Sequence, residues 1–289
     1  MKEQTYTIKK GKSFNLKSIL ECGQCFRWKE NYDGSYTGVF GENVINAKEL
    51  NDEVVFSGMC KNDIKKEIDR YFDLDRDYEK IKKELAKRDK EIIKSIEYGF
   101  GIRILNQELF ETIISFIISA NNNIPRIKGI IERISKNYGD KVIVWGEEYY
   151  LFPTVEQLKN VTVEEYRKMG LGFRDKRIYE TVQKIINKEV DLEKIKKSNL
   201  NTAEVREQIL KLSGVGPKVC DCILLFSSLK KLDVFPIDVW VRRVMNDIYI
   251  KQKDETKVSK IKIEKIALEK FGNLQGIAQQ YLFYWRREA

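Results

Sequence analysis

From Thr5 to about Gly58 short apolar runs alternate with turn residues. The runs are Tyr6-Thr7-Ile8, Cys25-Phe26-Arg27-Trp28, Tyr36-Thr37-Gly38-Val39-Phe40, Asn43-Val44-Ile45-Asn46 and Val54-Val55-Phe56; Asn31-Tyr32-Asp33-Gly34 and Phe40-Gly41-Glu42-Asn43 separate them. Short β-prone segments between Gly/Asn/Asp clusters predict an antiparallel meander. From Asn62 to about Ile96 the period lengthens: Ile64, Ile68, Tyr71 and Phe72 share one helical face, and a charge-dense helix over 78–86 turns its lysines and glutamates to solvent. Residues 109–120 are apolar enough for a buried helix, which Asn121-Asn122-Asn123 must end because short amides compete for the backbone.

Beyond that turn, helices are expected over 126–138, 163–169, 178–187, 204–211, 261–271 and 275–287, with a loop carrying Trp145, Phe152 and Pro153. A glycine-flanked turn, Gly170-Leu171-Gly172-Phe173-Arg174, presents an aromatic ring and a guanidinium. The chain thus reads as α+β: a small antiparallel sheet domain with flanking helices (1–96), then a mostly helical domain (97–289) containing a helical hairpin over 204–228.

Composition narrows the chemistry. With 289 residues, 42% hydrophobic and 34% charged, the chain can bury two cores. An excess of 53 Lys+Arg over 44 Asp+Glu gives +9, which favours a polyanionic partner. There is no histidine, which excludes Ser-His-Asp and Cys-His catalysis and leaves Lys, Asp, Glu, Tyr and Cys to do any chemistry. The five cysteines, Cys22, Cys25, Cys60, Cys220 and Cys222, read as reduced thiols; a zinc site joining Cys22 and Cys25 to Cys220 and Cys222 is the formal alternative. The first residues lack an apolar signal core and no apolar stretch is long enough to span a bilayer, so a cytoplasmic protein without a membrane is expected.

The chemistry concentrates between Leu212 and Asp238. Gly214 and Gly216 permit a tight turn with positive φ, and Pro217 suits the first position of a following helix. Lys218 then sits at the positive end of a helix dipole, which is expected to disfavour its ammonium form. Lys218 and Cys222 lie one turn apart, and Asp238 is delivered to the start of another helix by the apolar run Phe235-Pro236-Ile237. Near the C-terminus Gln279 and Phe283 share a face, pairing an amide with a ring. Taken one at a time these are a C-cap, a surface lysine, an N-cap and a core ring. Taken together they resemble the helix-hairpin-helix DNA glycosylase superfamily, whose lysine-bearing members both excise a base and nick the strand.

Six segments narrow the resemblance: Gly23-Gln24-Cys25-Phe26-Arg27-Trp28, Ser119 to Arg126, Leu171-Gly172-Phe173-Arg174, Gly214 to Cys222, Val234 to Val239, and Ala278-Gln279 to Phe283. In that order they are similar to 8-oxoguanine DNA glycosylases of the eukaryotic type, over essentially the whole chain. The resemblance implies that Gly23 offers its carbonyl to the N7–H that 8-oxoguanine carries and guanine lacks; guanine would leave buried acceptors unpaired, a cost of roughly 1–3 kcal/mol. It implies that Gln279 reads the Watson–Crick edge, that Cys222 and Phe283 sandwich the ring, and that Asn121 fills the space the flipped base leaves. Arg126 and Arg174 would accept the widowed cytosine, and Phe173, where the family usually has tyrosine, would wedge the stack. Gly214, Gly216 and Val219 would hold the DNA backbone, as would Trp240, which stands where eukaryotic members have histidine. Lys218 would attack C1′ and Asp238 would stabilise the positive charge developing on the sugar.

No cofactor or metal is implied, and no cysteine lies beyond Cys222 to hold the C-terminal iron-sulfur cluster typical of endonuclease III. The partner expected is duplex DNA containing 8-oxoguanine opposite cytosine, bound by a monomer in a bacterial or archaeal nucleoid. The alternatives are a non-catalytic helix-hairpin-helix DNA-binding protein and a glycosylase for another damaged base.

Overall fold

The structure, a computed structural model, describes residues 2–11 and 13–289. Strand β1 (Lys2–Lys9) and helix α1 (Leu16–Leu20) are followed by β2 (Trp28–Glu30), β3 (Tyr36–Phe40), β4 (Asn43–Leu50) and β5 (Glu53–Cys60). They form one five-stranded sheet in the order β1-β5-β4-β3-β2, antiparallel throughout. The expected meander holds from β2 to β5, but its first strand, β1, pairs with β5 at the far edge instead of beside β2, with Lys2 opposite Cys60 and Lys9 opposite Glu53. Along β5, Val54, Phe56 and Cys60 turn inward, so the pleat sends one face into the core. That core packs Phe14, Trp28, Phe40 and Phe56 against Tyr71 and Phe72 at the end of α2 (Ile64–Tyr71). The Trp28 indole N–H donates to the Tyr71 hydroxyl at 2.9 Å, satisfying the one polar group the ring buries.

The helical part continues with α3 (Tyr78–Arg88), α4 (Ile93–Tyr98), α5 (Leu109–Ser119), α6 (Ile124–Tyr138), strands β6 (Lys141–Val144) and β7 (Glu147–Tyr150), α7 (Val163–Lys168), α8 (Asp175–Ile186) and α9 (Leu192–Lys197). Then come α10 (Thr202–Ile209), α11 (Pro217–Phe226), α12 (Val239–Met245), α13 (Lys260–Phe271) and α14 (Gln275–Glu288). Its core is built on α5, whose Ile113, Ile114, Ile117 and Ile118 share one buried cluster with Ile223 and Leu224 of α11 and Ile277 of α14. Tyr78, Ile81, Leu85 and Ile96 join this core as well, although they precede residue 97.

Three features were not expected. The short helices α1 and α9 are the first. Residues 141–150, read as loop, form a hairpin in which Trp145 (φ 52°) and Gly146 (φ 80°) supply the two positive-φ positions of a primed turn. α12 also runs on into a π-helical turn, Asn246–Ile250. Among the described residues no helix is long and apolar enough to cross a membrane, and no group of three or more Cys, Asp or Glu is placed to hold a metal ion.

Candidate active site

α10 and α11 form the hairpin. At Gly214 (φ +78°) a Cβ would lie 2.9 Å from Arg177 Cδ and 3.2 Å from Ile117 Cγ2, so both conformation and space demand glycine. Gly216 differs: its φ is −92° and nothing lies within 4 Å of where a Cβ would stand. It caps α11 without a side-chain bond and Pro217 follows at the first position, so the early amides of Lys218 and Val219 have no partner within the helix. The Val219 side chain is itself buried, so only its backbone can meet a ligand.

One cavity gathers the chemistry. Lys218 and Cys222 of α11, Asp238, Gln279 and Phe283 of α14, and Gly23 all line it. Phe116, Phe226, Pro236 and Gln280 complete the wall. These four were missed in the sequence. Phe226 lies one turn beyond Cys222 and Gln280 adjoins Gln279, so helical spacing could have suggested both; Phe116 and Pro236 needed the fold. The free cavity encloses about 40 Å³, room for a water or so rather than a heterocycle. The Phe283 ring closes it, with Cε1 3.5 Å from where a Gly23 Cβ would be. A wider cleft of about 490 Å³ lies elsewhere, but Glu67, Glu108, Glu111 and Glu193 outnumber Arg70 and Lys196 along it, a wall poorly suited to a polyanion.

Asp238 serves two purposes. Its Oδ1 accepts the Val241 N–H at 2.8 Å as the N-cap of α12, and it faces the Lys218 amine electrostatically. Burial raises its pKa, opposed by the Val241 amide and by Lys218. Lys218 departs from expectation: Cys222 beside it and then Asp238 hold its pKa above the ordinary lysine value, against burial, which lowers it. The neighbouring groups thus outweigh the helix dipole and favour the ammonium form. The Cys222 thiol is pushed up to about 11 by burial, so at neutral pH it is a hydrogen-bonding neighbour and Asp238 supplies the charge. Lys218 Nζ also lies 5.7 Å from the centre of the Phe116 ring. Gln279 lines the cavity and is buried with its Oε1 unpartnered, an uncompensated acceptor.

A second cluster forms where α5 ends. Asn121 is exposed with φ 52°. Asn123 caps α6, accepting the Arg126 N–H at 3.0 Å. Arg126 is exposed, and its Nη2 reaches the Gly170 carbonyl at 3.3 Å. Phe173 projects, 55% exposed, against the guanidiniums of Arg174 and Arg177 at 4.2 and 5.1 Å. Arg174, by contrast, is buried: it donates to Ala120 O from Nε at 3.0 Å, to Asn121 O from Nη2 at 2.7 Å and to Leu171 O from Nη1 at 3.4 Å. It locks the Asn121 turn rather than presenting a free fork. Burial, then the nearby Arg126 and Arg177, lowers its pKa. Trp240 is half-buried under Arg243, whose guanidinium lies 5.1 Å from the ring centre.

A glycine-turned helical hairpin, a lysine in the first turn of its second helix and an aspartate across a ring-lined cavity define a base-excision DNA repair protein. The family described as HhH-GPD superfamily base excision DNA repair protein matches residues 114–271, and the 8-oxoguanine DNA glycosylase N-terminal domain matches residues 7–113. The chain belongs to the 8-oxoguanine DNA glycosylase family of this superfamily. It is 44% identical to the Clostridium acetobutylicum 8-oxoguanine glycosylase/lyase, solved with duplex DNA containing cytosine opposite 8-oxoguanine, with a TM-score of 0.91 covering 99% of this chain and 97% of that one. An N-glycosylase/DNA lyase of Saccharomyces cerevisiae is 34% identical over 81% of this chain and 68% of its own length. A probable N-glycosylase/DNA lyase of Methanothermobacter thermautotrophicus is 31% identical over 78% and 76%.

Proposed function

We propose that this protein removes 8-oxoguanine from duplex DNA and opens the strand, with Lys218 as the nucleophile and cytosine as the preferred opposite base. What carries the proposal is the convergence of Lys218, Asp238 and the unpartnered Gln279 Oε1 on one cavity. A flipped 8-oxoguanine would supply the N–H donors that Gln279 lacks and, through N7–H, a donor for the Gly23 carbonyl. Cys222 and Phe283 would hold its faces once the Phe283 ring moves aside. Phe173 would wedge the stack and Asn121 would take the vacated space. Arg126 would donate to the widowed cytosine, joined by the N–H that Arg174 does not spend on carbonyls. The open amides of α11, with Gly214, Gly216, Val219 and Trp240, would hold the phosphates.

The Lys218 ammonium first loses a proton. The amine then attacks C1′, the bond from C1′ to N9 breaks, and its electron pair leaves with the base, which takes up a proton. Asp238 stabilises the positive sugar as the bond stretches. Opening of the sugar ring gives an imine between Lys218 and C1′; loss of a C2′ proton expels the 3′ phosphate and nicks the strand. The chain is proposed to work as a monomer in a bacterial or archaeal nucleoid, with residues 1–96 and 97–289 as its two units, and to need no cofactor.

Base release and nicking on 8-oxoguanine:cytosine and guanine:cytosine duplexes test this. Both are expected on the lesion alone. Binding without either reaction would instead favour a DNA-gripping module.

A further inference from the structure

The reader of the lesion is a backbone carbonyl, and such a group is only as selective as its orientation. Three side chains surround it. Arg287 Nη2 donates to the Glu21 carbonyl at 2.6 Å, Gln280 Nε2 to the Cys22 carbonyl at 2.7 Å, and Gln107 Nε2 to the Gln24 carbonyl at 2.7 Å. The carbonyls on either side of Gly23 are thus all taken. Among the described residues no donor reaches the carbonyl of Gly23 itself. We infer that Gln280, Arg287 and Gln107 are positioning residues that fix the flanking peptide planes and leave the Gly23 carbonyl alone to meet the base. This rests on the base-excision reading above.

Each peptide is planar, so fixing the carbonyls at 21, 22 and 24 restricts the two torsions that aim the one between them. Gly23 lines the cavity, and an acceptor there without a donor would carry a desolvation penalty, which an incoming N–H removes and a guanine lone pair does not. Gly23 has φ +82°, a conformation that requires glycine, and a Cβ there would stand 3.0 Å from Arg287 Nη1, which would have to give way. α14 supplies most of the apparatus from one face. Gln279 faces the cavity, Phe283 closes it, and Gln280 and Arg287 tie the helix to the Gly23 segment. The Arg287 guanidinium also lies 5.1 Å from the centre of the Phe283 ring, joining the stacking ring to the carbonyl segment. At 15% side-chain exposure Arg287 is screened from water. From the other side Gln24 bolts the segment down, donating to Ile19 O at 2.9 Å and Arg103 O at 2.8 Å.

The test compares Gln280→Leu, Arg287→Met, their double variant and Arg287→Lys. For each, the rate of 8-oxoguanine release opposite cytosine is divided by the rate of strand opening at an abasic site opposite cytosine, where there is no base to read. The ratio is expected to fall severalfold in each single variant and roughly tenfold or more in the double one. Arg287→Lys, which still donates to the Glu21 carbonyl, should recover most of it. A purely structural role slows both reactions together, and an unchanged ratio would overturn the inference. Should Gln280→Leu fail to fold, the Arg287→Met and Arg287→Lys pair decides alone. A parent that opens abasic sites yet leaves 8-oxoguanine untouched would reject the base-excision reading itself, and the inference with it.

Discussion

Lys218 and Lys230 lie at the two ends of one stretch of chain, both withdrawn from water, and they have been treated in opposite ways. Burial pulls the Lys230 pKa down to about 7, against Asp73, whose carboxylate lies 3.3 Å away; the amine also donates to the Ile104 carbonyl. Lys218 is held above its ordinary value by Cys222 and Asp238. By free-amine content alone Lys230 would be the nucleophile. Yet it packs into the seam beside Asp73 and Ile104, whereas Lys218 lines the cavity with Asp238, Gln279 and Phe283. Geometry selects the nucleophile and a perturbed pKa does not, because structural ion pairs perturb pKa values as well.

Lys218→Gln should break that contrast most sharply: nicking should fall at least about 10³-fold with the covalent route gone. Lys230→Met should leave nicking within about threefold while lowering the melting temperature, since it removes a buried pair. Quenched-flow excision with Asp238→Asn should fall about 10²- to 10³-fold. The same variant sharpens the electrostatics. With the Lys218 pKa raised, the amine fraction grows about tenfold per pH unit, so single-turnover excision should climb between roughly pH 7 and 9. Asp238 is one of the groups raising that pKa, so its removal should move the rising limb to lower pH; a limb that stays put or moves up would contradict the pairing. Excision opposite each of the four bases should lose about tenfold of its cytosine preference in Arg126→Ala. Smallest in rate but visible in stability, Arg174→Met should cost about 1–3 kcal/mol by leaving the Ala120 and Asn121 carbonyls bare, a loss the exposed Arg126 should not share.

Short β-prone runs between turn residues made the sheet legible, β5 with a clear period of two, and α5, α6 and α14 carry continuous apolar faces. α1 and α9, of five and six residues, went unread, although α7, no longer than α9, was expected over 163–169. The β6–β7 hairpin was legible in principle, for Val142-Ile143-Val144 before Trp145-Gly146 is a strand followed by a primed turn. At the site, spacing along α11 and α14 placed Lys218 with Cys222 and Gln279 with Phe283. The charge state of Lys218 was read the wrong way because the dipole of its own helix was weighed alone; Cys222, one turn along that helix, and Asp238, which arrives from twenty residues on in the chain, both oppose it. Arg174 looked like a presented guanidinium because its turn is glycine-flanked; only the fold reveals the carbonyls of Ala120 and Asn121 that bury it.

The most direct test of the central claim is borohydride reduction during turnover on an 8-oxoguanine:cytosine duplex, followed by peptide mapping of the cross-linked protein. A stable adduct on Lys218, absent with the guanine duplex, is the predicted result. An adduct on Lys230 or on any other lysine, or strand nicking with no adduct at all, would contradict it.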